Sequence, residues 1–297
     1  MIYNDIGKNK RRTFLSVTFF IVFVTLFIYA ISLFFVEEMT WGIGIFAGAF
    51  AIITSLITYY NSDKIVLKLN KARPANPKED QQLKLLLEGI TIAAGTPIPR
   101  LYVIDDMSLN AFATGRNPEN AVICVTKGLV KKLDKYELEA VLAHELGHIK
   151  NYDILLGTII SVMVGFIVII ADIFRRSMFY GRGNKKDSGG SVLMIVALIF
   201  IILSPIFSKL MQLAISRKRE YLADATAVAL TRNKDGMINA LKKISQDTDV
   251  LEVANSSTAH LYVSEPIKKT KGKKKKRGLL STHPPIKDRI EALQKLN

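Results

Sequence analysis

The sequence predicts an α+β fold, mostly helical with a small sheet, together with about four transmembrane helices. Three observations predict it. Of the 297 residues, 49% are hydrophobic while the formal net charge is +15, so apolar and charged stretches must be segregated. Four uncharged apolar runs stand apart, at Phe14 to Val36, Thr40 to Tyr60, Ile154 to Ala171 and Ser188 to Ser208. Between and after them lie helical patterns and only three short β-rich runs.

Taken in order, residues 1–62 read as an N-terminal membrane hairpin. Its two runs are each about 20 residues long, enough to cross a bilayer as helices. Lys8, Lys10, Arg11 and Arg12 precede the first run in the manner of a secretory signal. The run is too long for one, and its small-residue triplet Ala30-Ile31-Ser32 lies inside it, so an uncleaved anchor is expected. Lysine and arginine placement sets orientation. Gly7 to Arg12 faces the cytoplasm, Glu37-Glu38-Met39 turns outside, and Lys64, Lys68, Lys71 and Arg73 return the chain to the cytoplasm.

Residues 63–153 read as the first half of a folded domain. Lys78 to Gly89 has a helical pattern with acidic residues early. The β-rich runs follow at Arg100 to Ile104, Asn110 to Thr114 and Ala121 to Thr126, the last two joined by a turn-rich hairpin loop. The single cysteine, Cys124, excludes an internal disulfide and is expected in the core. Lys131 to Asp153 is expected as one helix that runs on into the apolar segment at Ile154.

That helix carries His144-Glu145-Leu146-Gly147-His148. Histidines four apart share a helical face at about 5–6 Å between Cβ atoms, a spacing that lets two imidazoles meet one Zn²⁺ at about 2.0–2.1 Å each. Glu145 lies about 100° round the helix, within reach of a water whose pKa the metal lowers. The pattern therefore points to a zinc metalloprotease with one Zn²⁺ per chain. The competing reading is a buried helix whose histidines only hydrogen-bond. Gly147 in mid-helix costs about 1 kcal/mol relative to alanine, and close approach of another backbone or side chain is one reason to keep it; a tolerated neutral glycine is the other.

A third ligand must come from elsewhere. Residues 154–213 read as a second membrane hairpin, with Ser204-Pro205 kinking its fourth apolar segment. Its connecting loop breaks the orientation rule, because Arg175, Arg176, Arg182, Lys185 and Lys186 would lie outside; either the pair crosses regardless or it is only partly embedded. Residues 214–297 return to folded character. In Glu220-Tyr221-Leu222-Ala223-Asp224, Glu220 is the best candidate ligand and Asp224, one turn on, is placed to accept a ligand histidine's other N–H. Alternatively Glu220 only offsets Arg217-Lys218-Arg219 on the helix surface. Both ligand groups sit about 10–20 Å from the expected membrane surface at 1.5 Å per residue.

Together with Ser108-Leu109-Asn110-Ala111-Phe112-Ala113-Thr114-Gly115, these motifs resemble the HtpX family of integral-membrane zinc metalloproteases, relatives of the CAAX prenyl endoproteases and of a mitochondrial inner-membrane protease. The resemblance runs nearly end to end. It implies a zincin-like metalloprotease domain and Glu220 as third zinc ligand. It also implies an edge strand at Asn110 and Ala111 that binds substrate backbone, and a transition-state role for His283 in Ser281-Thr282-His283-Pro284-Pro285. The expected activity is zinc-dependent endoproteolysis of misfolded or damaged membrane proteins at the plasma or inner membrane, as a multi-pass protein with its catalytic domain in the cytoplasm.

Two features stay outside that assignment. The run Lys268 to Arg277 fits anionic lipid headgroups or a solvated loop, with no nucleic acid expected. His260 is expected to be structural. The competing functions are a prenyl-protein endoprotease, disfavoured because four segments are few for an enclosing helical chamber, and a non-catalytic membrane scaffold, which would have no use for Glu145.

Overall fold

The computed structural model of the chain describes residues 2–32, 41–78, 80–165, 217–249, 251, 258–263 and 284–296. Two long helices, α1 (Ile2–Ser32) and α2 (Trp41–Leu69), pack against each other. Phe14, Leu15, Ile45, Phe46, Ile53 and Ile57 on them each keep more than half of their surface exposed. α1 has one buried polar stripe, Asn9, Thr13 and Ser16, whose spacings of four and three put it on a single face. Among the described residues no helix is long and apolar enough to cross a membrane, so the four expected crossings are not found there. Val36, residues 166–171, the segment Ser188–Ser208 with its Ser204-Pro205, the basic loop between the two segments and the run Lys268–Arg277 all lie outside the described residues.

α2 continues through the expected boundary at residue 62 and leads into β1 (Arg73–Pro74), a strand too short to leave a pattern in the sequence. It joins β2 (Arg100–Ile104), β3 (Ala111–Thr114) and β4 (Val122–Thr126) in a mixed sheet of order β1-β2-β4-β3. β2 and β4 run parallel; the other two pairs are antiparallel. The three expected β-rich runs are thus strands, and β3, next to Asn110, lies at the end of the sheet order. The β3–β4 hairpin closes through a 3₁₀ turn at Pro118–Asn120, where the Asn117 side chain accepts the Asn120 N–H.

α3 (Gln81–Ala94) starts three residues after the pattern at Lys78 and stops at Gly95, whose φ of 63° is the left-handed conformation glycine permits. The single helix expected from Lys131 is divided instead into α4 (Lys127–Lys132) and α5 (Lys135–Lys150). Asp134 explains the division. Its carboxylate accepts the N–H groups of Tyr136 and Glu137 while the Glu137 side chain accepts its own N–H, a reciprocal cap that starts a new helix. The expected run-on into the apolar segment fails too. Tyr152 adopts φ 58°, which no helix accommodates, and a separate helix, α6, covers residues 153–165.

α7 (Arg217–Thr231), α8 (Lys234–Gln246), a 3₁₀ turn at Ala259–Leu261 and α9 (Ile286–Gln294) complete the described elements. α5 is the central one. It packs on α7, α8, α3 and the sheet, and buries Leu138, Val141, Leu142, Leu146 and Ile149. A second cluster joins Val66, Phe112, Val122, Cys124 and Tyr262. Cys124 is fully buried there and burial pushes its thiol up, with Glu145 adding to the effect, as befits a core residue.

Candidate active site

α5 and α7 bring three ligand atoms together. His144, His148 and Glu220 each offer one such atom, all within 4.8 Å of one another. The two Nε2 atoms lie 3.3 Å apart, and the Glu220 carboxylate is 3.6 Å from that of His148 and 3.8 Å from that of His144. Two nitrogens bound tetrahedrally to one zinc at about 2.0–2.1 Å are themselves about 3.3 Å apart. The donor set therefore fits the ion.

The far side of each ring fixes its orientation. His144 Nδ1 is 2.9 Å from Asp224 Oδ1 and His148 Nδ1 is 3.1 Å from Asp153 Oδ2. In its neutral form a ring that donates Nδ1–H to a carboxylate presents its Nε2 as a bare acceptor, so two neutral rings facing each other this way suit a shared cation. The charges nearby agree. Burial opposes a positive His148, yet the Asp153 hydrogen bond and the carboxylates of Glu220, Asp153 and Glu145 push it up to about 9. His144, fully buried, is lowered by that burial, and Arg289 and His148 add to the effect against the pull of Asp224.

Glu145 is buried beside the ligands. Burial pushes its carboxyl up to about 7, aided by Glu220 and opposed by His148, by Arg289 and by the backbone N–H of Ala113. That N–H comes from the outer edge of β3. Ala113, the three ligands, Glu145 and Tyr262 line one cleft.

Close helix packing sets the ligand spacing. A Cβ placed on Gly147 would lie 3.4 Å from the Ala223 Cα and 3.4 Å from the Thr226 side chain. The glycine thus faces α7, between His144 and His148 on one helix and opposite the Glu220–Asp224 stretch of the other. α7 passes close to Gly147, but an alanine Cβ would meet it at ordinary contact distance, so that approach does not itself require a glycine.

Other expected residues fare differently. Asn110 is buried, its side-chain oxygen accepting the Ala111 N–H and its backbone tied to Thr126; it is not among the residues that line the cleft. The Ala111 carbonyl accepts the N–H of Val263 at 2.9 Å, so the chain itself holds one position of the outer β3 edge. His260 borders the cleft and donates to the Gly157 carbonyl on α6, 3.3 Å from the Ser161 hydroxyl. His283 lies outside the described residues.

The sequence reading missed two residues of the site. Arg289 of α9, fully buried, donates Nε to Asp224 Oδ2 at 2.8 Å and Nη2 to Asp224 Oδ1 at 2.6 Å. Its Nη1 lies 3.5 Å from Glu220 and donates to the Val263 carbonyl. Burial alone would raise the Asp224 carboxyl, but Arg289 and His144 hold it below its ordinary value. The cue was available: with Ile286, Ile290 and Leu293, Arg289 occupies the apolar stripe of an amphipathic helix, where an unpaired arginine has no place. Asp153 carries no such cue, because the pattern places it inside a helix that runs on into Ile154.

Residues 77–297 match the family model described as peptidase family M48. A "Protease HtpX homolog" of Dictyoglomus thermophilum is 44% identical, over 98% of this chain and 94% of its own length. Another, from Listeria monocytogenes serovar 1/2a, is 43% identical over 100% of both chains. A crystal structure of S. mikatae Ste24p aligns with a TM-score of 0.49 at 24% identity, over 97% of this chain and 66% of that one.

Proposed function

This chain belongs to peptidase family M48 as a homologue of HtpX, and on that footing we propose that it is a membrane-bound, zinc-dependent endopeptidase acting on misfolded or damaged membrane proteins. The observation that carries the chemistry is the pair of Nε2 atoms facing each other at 3.3 Å beside Glu220. His144, His148 and Glu220 would hold the ion, which when bound would supply Lewis-acid polarisation of the scissile carbonyl and a more acidic attacking water.

The protein's own groups do the rest. Glu145, at the cleft wall, takes the water's proton and passes it to the leaving amine. The Ala113 N–H keeps that carboxylate aimed. Asp224 and Asp153 fix the two rings by accepting their Nδ1–H groups. A substrate strand adds antiparallel to the β3 edge near Asn110 and Ala111, where sheet pairing supplies affinity independent of side chains. His283 is assigned, by resemblance to the family, to stabilise the transition state.

Membrane attachment is supported by the uncharged runs Phe14 to Val36 and Thr40 to Tyr60 and by the exposed apolar side chains of α1 and α2. Basic residues flank these runs on the cytoplasmic side, and the run Lys268–Arg277 contacts anionic headgroups.

The deciding experiment uses the full chain purified in detergent. Chelation should abolish casein cleavage and zinc should restore it, and an unfolded membrane protein should be cut faster than a prenylated peptide. Cleavage indifferent to chelation, or a preference for the prenylated peptide, would overturn this reading.

A further inference from the structure

The N-terminal helix reaches the metal site. Asn9 of α1 is buried, with 3% of its surface exposed. Its amide nitrogen donates to Asp153 Oδ1 at 2.7 Å and to the Asn151 carbonyl at 3.0 Å, which uses both of its hydrogens. The other carboxylate oxygen of Asp153 is the one that meets His148 Nδ1 at 3.1 Å. Lys10, the next residue, holds its ammonium 4.5 Å from the centre of the Tyr152 ring. Two consecutive residues of α1 thus touch all three residues, 151 to 153, of the turn that ends α5.

That turn needs holding. Tyr152 sits at φ 58°, a left-handed conformation that costs a non-glycine residue on the order of 1 kcal/mol and persists only where its surroundings enforce it. Asp153 follows immediately. Its Oδ1 is bonded by Asn9 from one side and by Arg219 Nη1, at 3.2 Å, from the other, which turns Oδ2 towards His148.

We infer that Asn9 is a positioning residue for the metal ligand His148, acting through Asp153, so that docking of the N-terminal helix sets how tightly the site holds its ion. The inference rests on the reading of His148 as a zinc ligand. A partner that contacts a ligand histidine directly is typically worth about 10–100-fold in metal affinity. Asn9 acts one contact further out, so a loss of about threefold to tenfold is expected, less than for a direct partner.

The test measures zinc affinity of the full chain in detergent by competition with a chelator. Asn9→Ala should weaken zinc binding in the otherwise wild-type chain. In an Asp153→Ala background, where the relay is already cut, Asn9→Ala should cost nothing further. Thr13→Ala, on the same face of α1 but bonded, among the described residues, only to the Asn9 carbonyl of its own helix, should leave affinity unchanged and so controls for general loosening of the helix. Equal losses from Asn9→Ala in both backgrounds, a matching loss from Thr13→Ala, or no loss at all would each overturn the inference. A wild-type chain that takes up no zinc would overturn the zinc reading along with it, whereas zinc-binding wild type with an indifferent Asn9→Ala overturns this inference alone.

Discussion

Arg289 and Asp224 form a buried two-point ion pair, at 2.8 and 2.6 Å, behind the ligand His144. The pair joins α9 to α7 beside the His144 ring. Arg289→Met should leave the Asp224 charge buried without its partner, at a cost of about 3–5 kcal/mol. Thermal unfolding should report a lower midpoint, and chelator competition a weaker zinc site. Arg289→Lys should recover only part of both, since an ammonium lacks the planar fork. An unchanged midpoint for the methionine variant would show that the pair contributes no stability.

Glu145→Gln should leave zinc stoichiometry intact and lower kcat by about 100-fold or more, the usual worth of a positioned base. Glutamine keeps the shape and an oxygen for the Ala113 N–H but takes no proton. Metal analysis and peptide cleavage on the same sample decide this. Activity within tenfold of wild type would remove Glu145 from the role of base.

Glu220→Gln should act on the other quantity. It takes an anionic ligand from the set and should release zinc to a mild chelator that the wild type withstands. Equal zinc retention after dialysis would move the search for the third ligand elsewhere.

Gly147 gives a graded test of helix spacing. Alanine places its Cβ at an ordinary contact distance, 3.4 Å from Ala223, and gains about 1 kcal/mol of helix propensity. Gly147→Ala should therefore be neutral or mildly stabilising. Gly147→Leu should force α5 from α7 and lower zinc affinity, because productive metal geometry tolerates only about 0.5 Å. Chelator competition on both variants reads the difference, and an indifferent leucine variant would mean that the spacing is set elsewhere.

The extent to which the sequence reveals this site follows from how local each part is. His144, Glu145 and His148 are legible because helical periodicity alone fixes their geometry. Glu220 and Asp224 are legible for the same reason once a helix is assumed. The three strands of the β-rich runs show in their composition, while β1 does not, since two residues carry no alternation and owe their pairing to β2. Asp153, Arg289 and Asn9 form the outer frame, joined across gaps as long as 144 residues, and no local pattern encodes contacts at that range. Asp153 was hidden further by the turn at Tyr152, a left-handed tyrosine that composition gives no reason to expect.

The hydrogen bond from Val263 to the Ala111 carbonyl has a kinetic meaning. A tethered competitor acts at an effective concentration on the order of mM, so a substrate strand that adds at this edge as proposed would compete with a resident that never diffuses away. Short peptides, with few backbone bonds to offer, should show a high KM, while long extended polypeptides outbid it. Selection for unfolded substrates would then arise from competition along a strand edge, with no side-chain pocket required. Val263→Pro, which removes the donating N–H, should lower KM for short peptides more than for long ones in steady-state assays. An equal change for both lengths would show that the edge is not contested.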